Sequence, residues 1–251
     1  MSQTDFSCCM VIPTYNHHVS LGSMVAAIEA QGLPLILVND GSKEATRQEC
    51  DRLAAAHPSV TLVHREQNGG KGAAVMTGFE TALQKGFSHV LQVDADGQHD
   101  LNDLPLFLAA AKAQPKAMVI GYPVFEADVP KSRLYGRKIT NFWVALECGS
   151  GQIQDAMFGY RCYPLAAVKD LMRGQRLTSR MDFDIEILVR LWWRGLRVVN
   201  IPSRVSYNNP EGSNFRLLAD NLQISLLHTG LVLESLFRLP ALWINRFTTR
   251  A

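Results

Sequence analysis

Leu91-Gln92-Val93-Asp94-Ala95-Asp96-Gly97-Gln98-His99 is the stretch that decides the fold. An apolar run suited to a buried strand ends in Asp94, Asp96 and Gln98 at alternate positions. Alternation is the period of extended chain, so the three side chains face the same way. Two bare carboxylates about 4 Å apart repel by roughly 4 kcal/mol at an effective dielectric of about 20, so the pair calls for a cation or a shared proton. Oxygen donors with an amide suit Mg2+ or Mn2+, which complete their shells with water and substrate phosphate. The competing account of the same residues is an Asp-rich turn leading to a helix cap at Asp100 or Asn102.

Upstream, 8–13 reads as a buried first strand ending at Pro13, with Tyr15 and Asn16 opening a loop and Ser20 before the next helix. No GxGxxG follows, which argues against a dinucleotide-binding loop. A second strand, 35–38, runs into Asn39-Asp40-Gly41-Ser42 and brings another carboxylate to the C-terminal end of a parallel strand, the edge where open α/β sheets bind ligands. A helix at Glu44–Ala56 and a strand at 60–63 lead to Asn68-Gly69-Gly70-Lys71-Gly72. Glycines just before a helix at 73–85 let backbone amides and one lysine approach an anion. It is not a Walker loop, because Arg65 and Gly72 stand where that motif needs Gly and Ser or Thr.

A strand at 89–93, a helix at 102–113 and a strand at 117–120 complete five strands alternating with four helices. That pattern predicts an α/β fold with a mostly parallel central sheet and right-handed crossovers. Beyond Tyr122 the character changes. Residues 123–130 read as a loop, and Lys131, Arg133, Arg137 and Lys138 gather charge at the start of a helix ending near Glu147, fit for a phosphate or for a solvated face. Asp155 to Arg161 follows a glycine-rich turn. Asp182, Asp184 and Glu186 crowd a helix N-terminus, where the dipole alone accounts for at least two of them.

With 251 residues, 47% of them hydrophobic, the chain can build one large core. A net charge of +2 argues against a dedicated nucleic-acid surface. Five cysteines, odd in number and without a CxxC pair, read as reduced thiols in a cytosolic setting with no zinc site. Residues 1–6 lack the basic and apolar regions of a signal peptide.

The order of these motifs resembles family 2 glycosyltransferases, in the dolichol- or polyprenol-phosphate mannosyltransferase-like branch. The motifs are Pro13-Thr14-Tyr15-Asn16, Asn39 to Ser42, Asn68 to Gly72, Asp94 to His99, Asp155 to Arg161 and Phe183 to Glu186, and the resemblance covers roughly 8–205. It implies the glycosyltransferase A fold, a UDP- or GDP-sugar donor, inversion at the sugar carbon, and a lipid-linked phosphate or glycolipid-precursor acceptor. Carried over by position, Pro13, Tyr15 and Asp40 line the base and ribose pocket and Lys71 sits near the nucleotide. Asp94, Asp96 and Gln98 gather around Mg2+ or Mn2+ and the donor diphosphate, while Arg161 meets a phosphate. For a hydroxyl acceptor, Asp155 is the first candidate base, with Asp184 or Glu186 behind it. A non-catalytic nucleotide-sugar-binding subunit is the other reading of the same motifs. The chain departs from the family pattern at His17, where relatives carry Glu, and at Gly121-Tyr122-Pro123, where they show Gly-Ser-Arg. It departs again at 204–216, where Arg204 and Arg216 are the candidate replacements for a late basic loop.

These readings divide the chain into a catalytic domain at 1–210, with a nucleotide-binding half to about 122 and an acceptor half from about 123, and an amphipathic helical tail at 211–251. Within 217–238, Leu218, Leu222, Leu226, Leu233, Leu236 and Phe237 share one face. Ile224, Leu227 and Leu231 form a second apolar stripe. Asp220, His228, Glu234 and Arg238 make a bilayer crossing costly. The two stripes predict one face docked on the catalytic body and another, through 217–244, on a membrane surface or a homodimer partner, peripheral to a cytoplasmic membrane face.

Overall fold

A computed structural model describes residues 6–125, 131–206, 212 and 214–248, of which the side chains of 131–133 and 239–248 lie outside the description. Its strands are β1 (Cys8–Thr14), β2 (Leu35–Asp40), β3 (Val60–Arg65), β4 (His89–Gln92), β5 (Met118–Val124), β6 (Arg161–Pro164) and β7 (Val198–Arg204). The helices are α1 (Leu21–Glu29), α2 (Glu44–Ala56), α3 (Lys71–Gln84), α4 (Leu104–Ala113), α5 (Lys131–Cys148), α6 (Leu165–Gly174), α7 (Phe183–Trp193) and α8 (Leu217–Thr248).

The strands form one seven-stranded sheet in the order β3-β2-β1-β4-β6-β5-β7. Every pairing is parallel except those of β6, which runs antiparallel between β4 and β5. β1 is buried along its whole length, as its unbroken apolar run requires of a central parallel strand. Its side chains still alternate between two cores. Cys9 and Val11 join α3, α6 and α7, while Cys8, Met10 and Ile12 join α1, α2 and α4. The helices read accordingly: in α2 only Thr46, Cys50 and Leu53 are buried, one stripe on an otherwise polar helix. All five cysteines are free and buried.

β6 is the strand that periodicity misses. Four residues, Arg161-Cys162-Tyr163-Pro164, are too short to show a period, and their antiparallel insertion separates β4 from β5. β5 also runs on to Val124, into part of the expected 123–130 loop, because β7 pairs with it through Arg204. The expected strand at 89–93 stops at Gln92, although the Val93 amide still donates to Val11 O at 3.1 Å.

α8 docks through its mixed stripe. Ile224, Leu231, Asp220 and His228 are buried, whereas Leu218 is 87% and Phe237 88% exposed. His228 Nδ1 lies 2.6 Å from Glu147 Oε1 of α5, and Arg190 of α7 donates to Glu234 at 2.9 Å. Among the described residues no helix is long and apolar enough to cross a membrane.

Candidate active site

The C-terminal ends of β1, β2 and β4 open into a cavity of about 880 Å³. Its walls include Pro13 and Tyr15 after β1, Asp40 at the end of β2, Lys71 at the start of α3, and Asp94, Asp96 and Gln98 after β4. Every residue expected to bind donor or metal therefore lies on one cavity.

Asp94, Asp96 and Gln98 share that side through a turn rather than through strand alternation. The Gln98 amide donates to Asp96 Oδ1 at 3.1 Å, and Gly97 takes φ +69, a left-handed conformation that a side chain would disfavour. Asp94 is held differently. The Lys71 ammonium lies 2.6 Å from its Oδ1 and donates to Oδ2 at 2.8 Å, while also lying 2.6 Å from Asp184 Oδ2. Burial opposes ionisation of Asp94, but the Lys71 charge, with the His99 ring 3.9 Å away, outweighs it and holds the carboxyl well below its usual range. Lys71 shifts upward for the reciprocal reason, Asp184 and Asp94 outweighing its desolvation. Gly159 backs this arrangement, because a Cβ there would collide with the Asp94 carboxylate.

Asp40 organises the glycine loop. Its Oδ1 accepts from Arg65 Nε at 2.8 Å and Gly69 N at 3.0 Å, and its Oδ2 from Gly70 N at 2.8 Å. Gly70, at φ +96, and Gly72 permit close contact with the 179–183 segment, where Ala73 N donates to Ser179 O. The loop thereby carries α3 and Lys71 against the turn before α7, which supplies Arg180 to the cavity. On the far wall Arg137 of α5 donates to Asp155 Oδ1 at 2.7 Å and lies over the Phe125 ring. Gly212, Asn214 and Arg216 also line the cavity, with Asn214 donating to Tyr15 O at 2.8 Å and Arg216 bonded to Asp220.

The family model for glycosyl transferase family 2 matches residues 9–166. The chain belongs to that family. This glycosyltransferase is 29% identical over 218 residues to polyprenol monophosphomannose synthase of Mycolicibacterium smegmatis, covering 82% of each chain. It is 31% identical over 191 residues to a dolichyl-phosphate beta-glucosyltransferase of Trichomonas vaginalis, covering 73% of this chain and 57% of that one. Glucosyl-3-phosphoglycerate synthase from Mycobacterium tuberculosis, solved with Mn2+ and UDP-glucose, superposes with a TM-score of 0.65 at 16% identity. That alignment covers 92% of this chain and 79% of the solved one, and the shared architecture is the glycosyltransferase A fold.

The glycosyltransferase's donor set fits a hard divalent cation. Among the described residues, neither the second oxygen of Asp96 nor the Gln98 side chain has a hydrogen bond within the protein. No group of three His, Cys, Asp or Glu side chains among them could hold an ion alone. One or two carboxylates with a diphosphate completing the shell is the usual arrangement for Mg2+.

Three expected catalytic residues of the glycosyltransferase lie off the cavity wall. Arg161 is fully buried, and its guanidinium donates to the carbonyls of Phe158, Ala156 and Asp184, so it supports the floor of the site. Glu186 is buried beneath the cavity, accepting from Thr178 N and Arg190 Nε, each at 2.6 Å. Asp155 is off the cavity wall, 2% exposed, and bonded to Arg137 and to Met157 N, a poor position for taking a substrate proton. Arg204 is likewise absent from the wall, whereas Arg216 reaches it. Asp184 does line the cavity. Its signal in the sequence is a carboxylate inside the Phe183 to Val189 run, whose residues are all buried.

Proposed function

We propose that this glycosyltransferase moves a sugar from a UDP- or GDP-sugar to a lipid-linked phosphate, with Mg2+ or Mn2+ on the donor diphosphate, at the cytoplasmic face of a membrane. The observation that carries the phosphate acceptor is the state of the cavity's acids. Asp184 and Asp94 are paired with Lys71, Asp40 is bonded to Arg65 and two amides, Asp220 is bonded to Arg216, Asp96 is taken up by the cation on this reading, and Asp155 and Glu186 are off the wall. A hydroxyl acceptor needs a base with a low-cost proton site, whereas a phosphate oxygen is already a nucleophile.

On this reading Pro13, Tyr15 and Asp40 take the nucleoside, and Asp96 and Gln98, with Asp94 behind them, hold the cation. A bound cation would neutralise charge growing on the departing diphosphate. Lys71 keeps Asp94 ionised and in place. Arg137, set by Asp155, and Arg180 face the acceptor side, where a guanidinium fork matches phosphate oxygens. Attack from that side, opposite the diphosphate, inverts the sugar carbon. The names of the mannosyl and glucosyl relatives, which act on polyprenol and dolichyl phosphates, support the acceptor class. Peripheral attachment through the exposed leucine face of α8 suits such an acceptor.

The test is transfer from GDP-mannose and UDP-glucose, with Mn2+, to a polyprenyl phosphate and to the matching polyprenol. Product from the phosphate alone is expected. Product from the alcohol alone would overturn the proposal.

A further inference from the structure

The two loops at the nucleoside end of the cavity are tied together by hydrogen bonds that lead away from it to an imidazole. β2 and β3 run in register, with Asp40 beside Arg65 and Asn39 beside His64. The first pair faces α3, where Arg65 donates to Thr77, and the second faces α2 on the other side of the sheet. Asn39 is 1% exposed, so its amide has to be satisfied inside the protein. Its Nδ2 lies 2.9 Å from His64 Nδ1, and its Oδ1 accepts from Ser42 N at 3.1 Å. Ser42 Oγ in turn accepts from Asn16 N at 3.0 Å, and Asn16 Oδ1 from Lys43 N at 2.9 Å. Asn16 takes φ +55, a left-handed conformation that this pair of bonds holds in place. Tyr15 and Asp40, each next in the chain to a member of this relay, line the cavity.

A backbone N–H can only donate, so Ser42 N fixes Asn39 Oδ1 as an acceptor and turns the Nδ2 protons toward the ring. His64 Nδ1 must then accept, and the ring proton sits on Nε2, 3.0 Å from Asp51 Oδ1. We propose that His64 is a positioning residue of the sugar-nucleotide site, its unprotonated Nδ1 holding the Asn39 amide in the one orientation that ties the loop after β2 to the loop after β1. This rests on the placing of the nucleoside at Pro13, Tyr15 and Asp40 above, and it adds a residue off the cavity wall that sets that end of the site.

Protonation is what breaks the relay. A proton on Nδ1 meets the Asn39 Nδ2 protons, donor against donor, and relief requires the amide to turn over and release Ser42 N. Among the described residues the charged group facing the ring is Asp51 of α2, which accepts from Nε2 in either state, while the Asp40 and Arg65 pair lies across the sheet. The Asn39 amide of β2 is therefore what distinguishes the two states. Nucleotide affinity falls as pH drops from about 8 to about 5, the window in which imidazoles change charge.

The experiment measures binding of UDP and of GDP, each with Mn2+, by titration calorimetry across that window for wild type, His64→Leu and His64→Asn. Leucine has no acceptor, whereas asparagine places Oδ1 where Nδ1 stands and has no proton to gain. At the alkaline end His64→Leu weakens binding of whichever nucleotide the wild type takes by about tenfold, and His64→Asn restores it. Toward the acid end the wild type loses affinity relative to His64→Asn and approaches His64→Leu. Protons taken up by the diphosphate, or by His17 and His99 on the cavity wall, are common to wild type and His64→Asn and cancel in their ratio. A ratio that stays flat with pH overturns the proposal, and it is decisive even if His64→Leu does not fold. Wild-type affinity in a folded His64→Leu overturns it as well. A wild type that binds neither nucleotide overturns the nucleotide reading and this role with it, a result seen before any variant is compared.

Discussion

Lys71 stands between two carboxylates that would otherwise face each other in a largely buried wall, and that position governs what its loss does. Lys71→Met leaves Asp94 and Asp184 uncompensated, an unpairing that costs about 3–5 kcal/mol when buried. Urea denaturation should show that loss, and adding Asp184→Asn should restore much of it. Asp96 is the carboxylate whose removal should weaken the metal rather than the fold. Asp96→Asn is expected to raise the Mn2+ dissociation constant about 10- to 100-fold, measured by electron paramagnetic resonance with nucleoside diphosphate present, while the melting point of the free protein barely moves. Asp155 accepts from Arg137, so on the proposed reading Asp155→Asn should raise KM for a phosphate acceptor with kcat largely retained. A collapse of kcat at unchanged KM would return Asp155 to the role of base. At this scale the Asp94-Asp96-Gln98 cluster was legible from its charge pattern, although a local turn, and not the strand alternation expected, brings the three to one side. The burial of Arg161, Asp155 and Glu186 away from the cavity wall was not legible, for a complementary reason. A motif gives residue type, but whether a guanidinium meets solvent or three carbonyls depends on β6 being threaded between β4 and β5.

At the scale of elements, α8 is held by a stripe less apolar than the one it leaves outside. The Glu147 to His228 contact is its central buried fastening, and burial pushes the Glu147 carboxyl up even though His228 opposes the shift. His228→Ala leaves Glu147 buried without its partner. Hydrogen exchange should then accelerate through 217–238 while β1, β2 and β4 keep their protection, because local opening follows local contacts. The periodicity of 217–238 gave both stripes, and it did not say which of them docks. Amphipathicity measures contrast between faces, whereas docking is decided by complementarity with α5 and α7, and here Glu147 and Arg190 on those helices select the polar-bearing face. The α2 bounds, in contrast, were readable to the residue, since a surface helix with one buried stripe answers only to its own period.

For the whole molecule, protonation and ligand linkage give the remaining expectations. His89 is buried, which holds its pKa below the usual imidazole value despite its hydrogen bond to Pro115 O. The unfolded chain therefore binds a proton first as pH falls through about 6.5, and stability declines with it from that point downward. A His89→Gln variant should flatten that leg of the urea midpoint against pH. Because no three side chains among the described residues make a metal site alone, Mn2+ or nucleoside diphosphate added singly should raise the melting point less than the two together. The sequence by itself determined the parallel α/β scaffold, the acidic turn after β4 and the glycine-lysine entry to α3, all of which are signalled by patterns that span only a few residues each. Only the tertiary structure decided that Lys71 bridges Asp94 and Asp184, that Arg137 and Arg180 share the wall, and that α8 keeps the stripe of Leu218, Leu222 and Leu226 outside. Those outcomes bring together residues from distant parts of the chain, and burial, which sets their charge and partners, is a property of the packed layers.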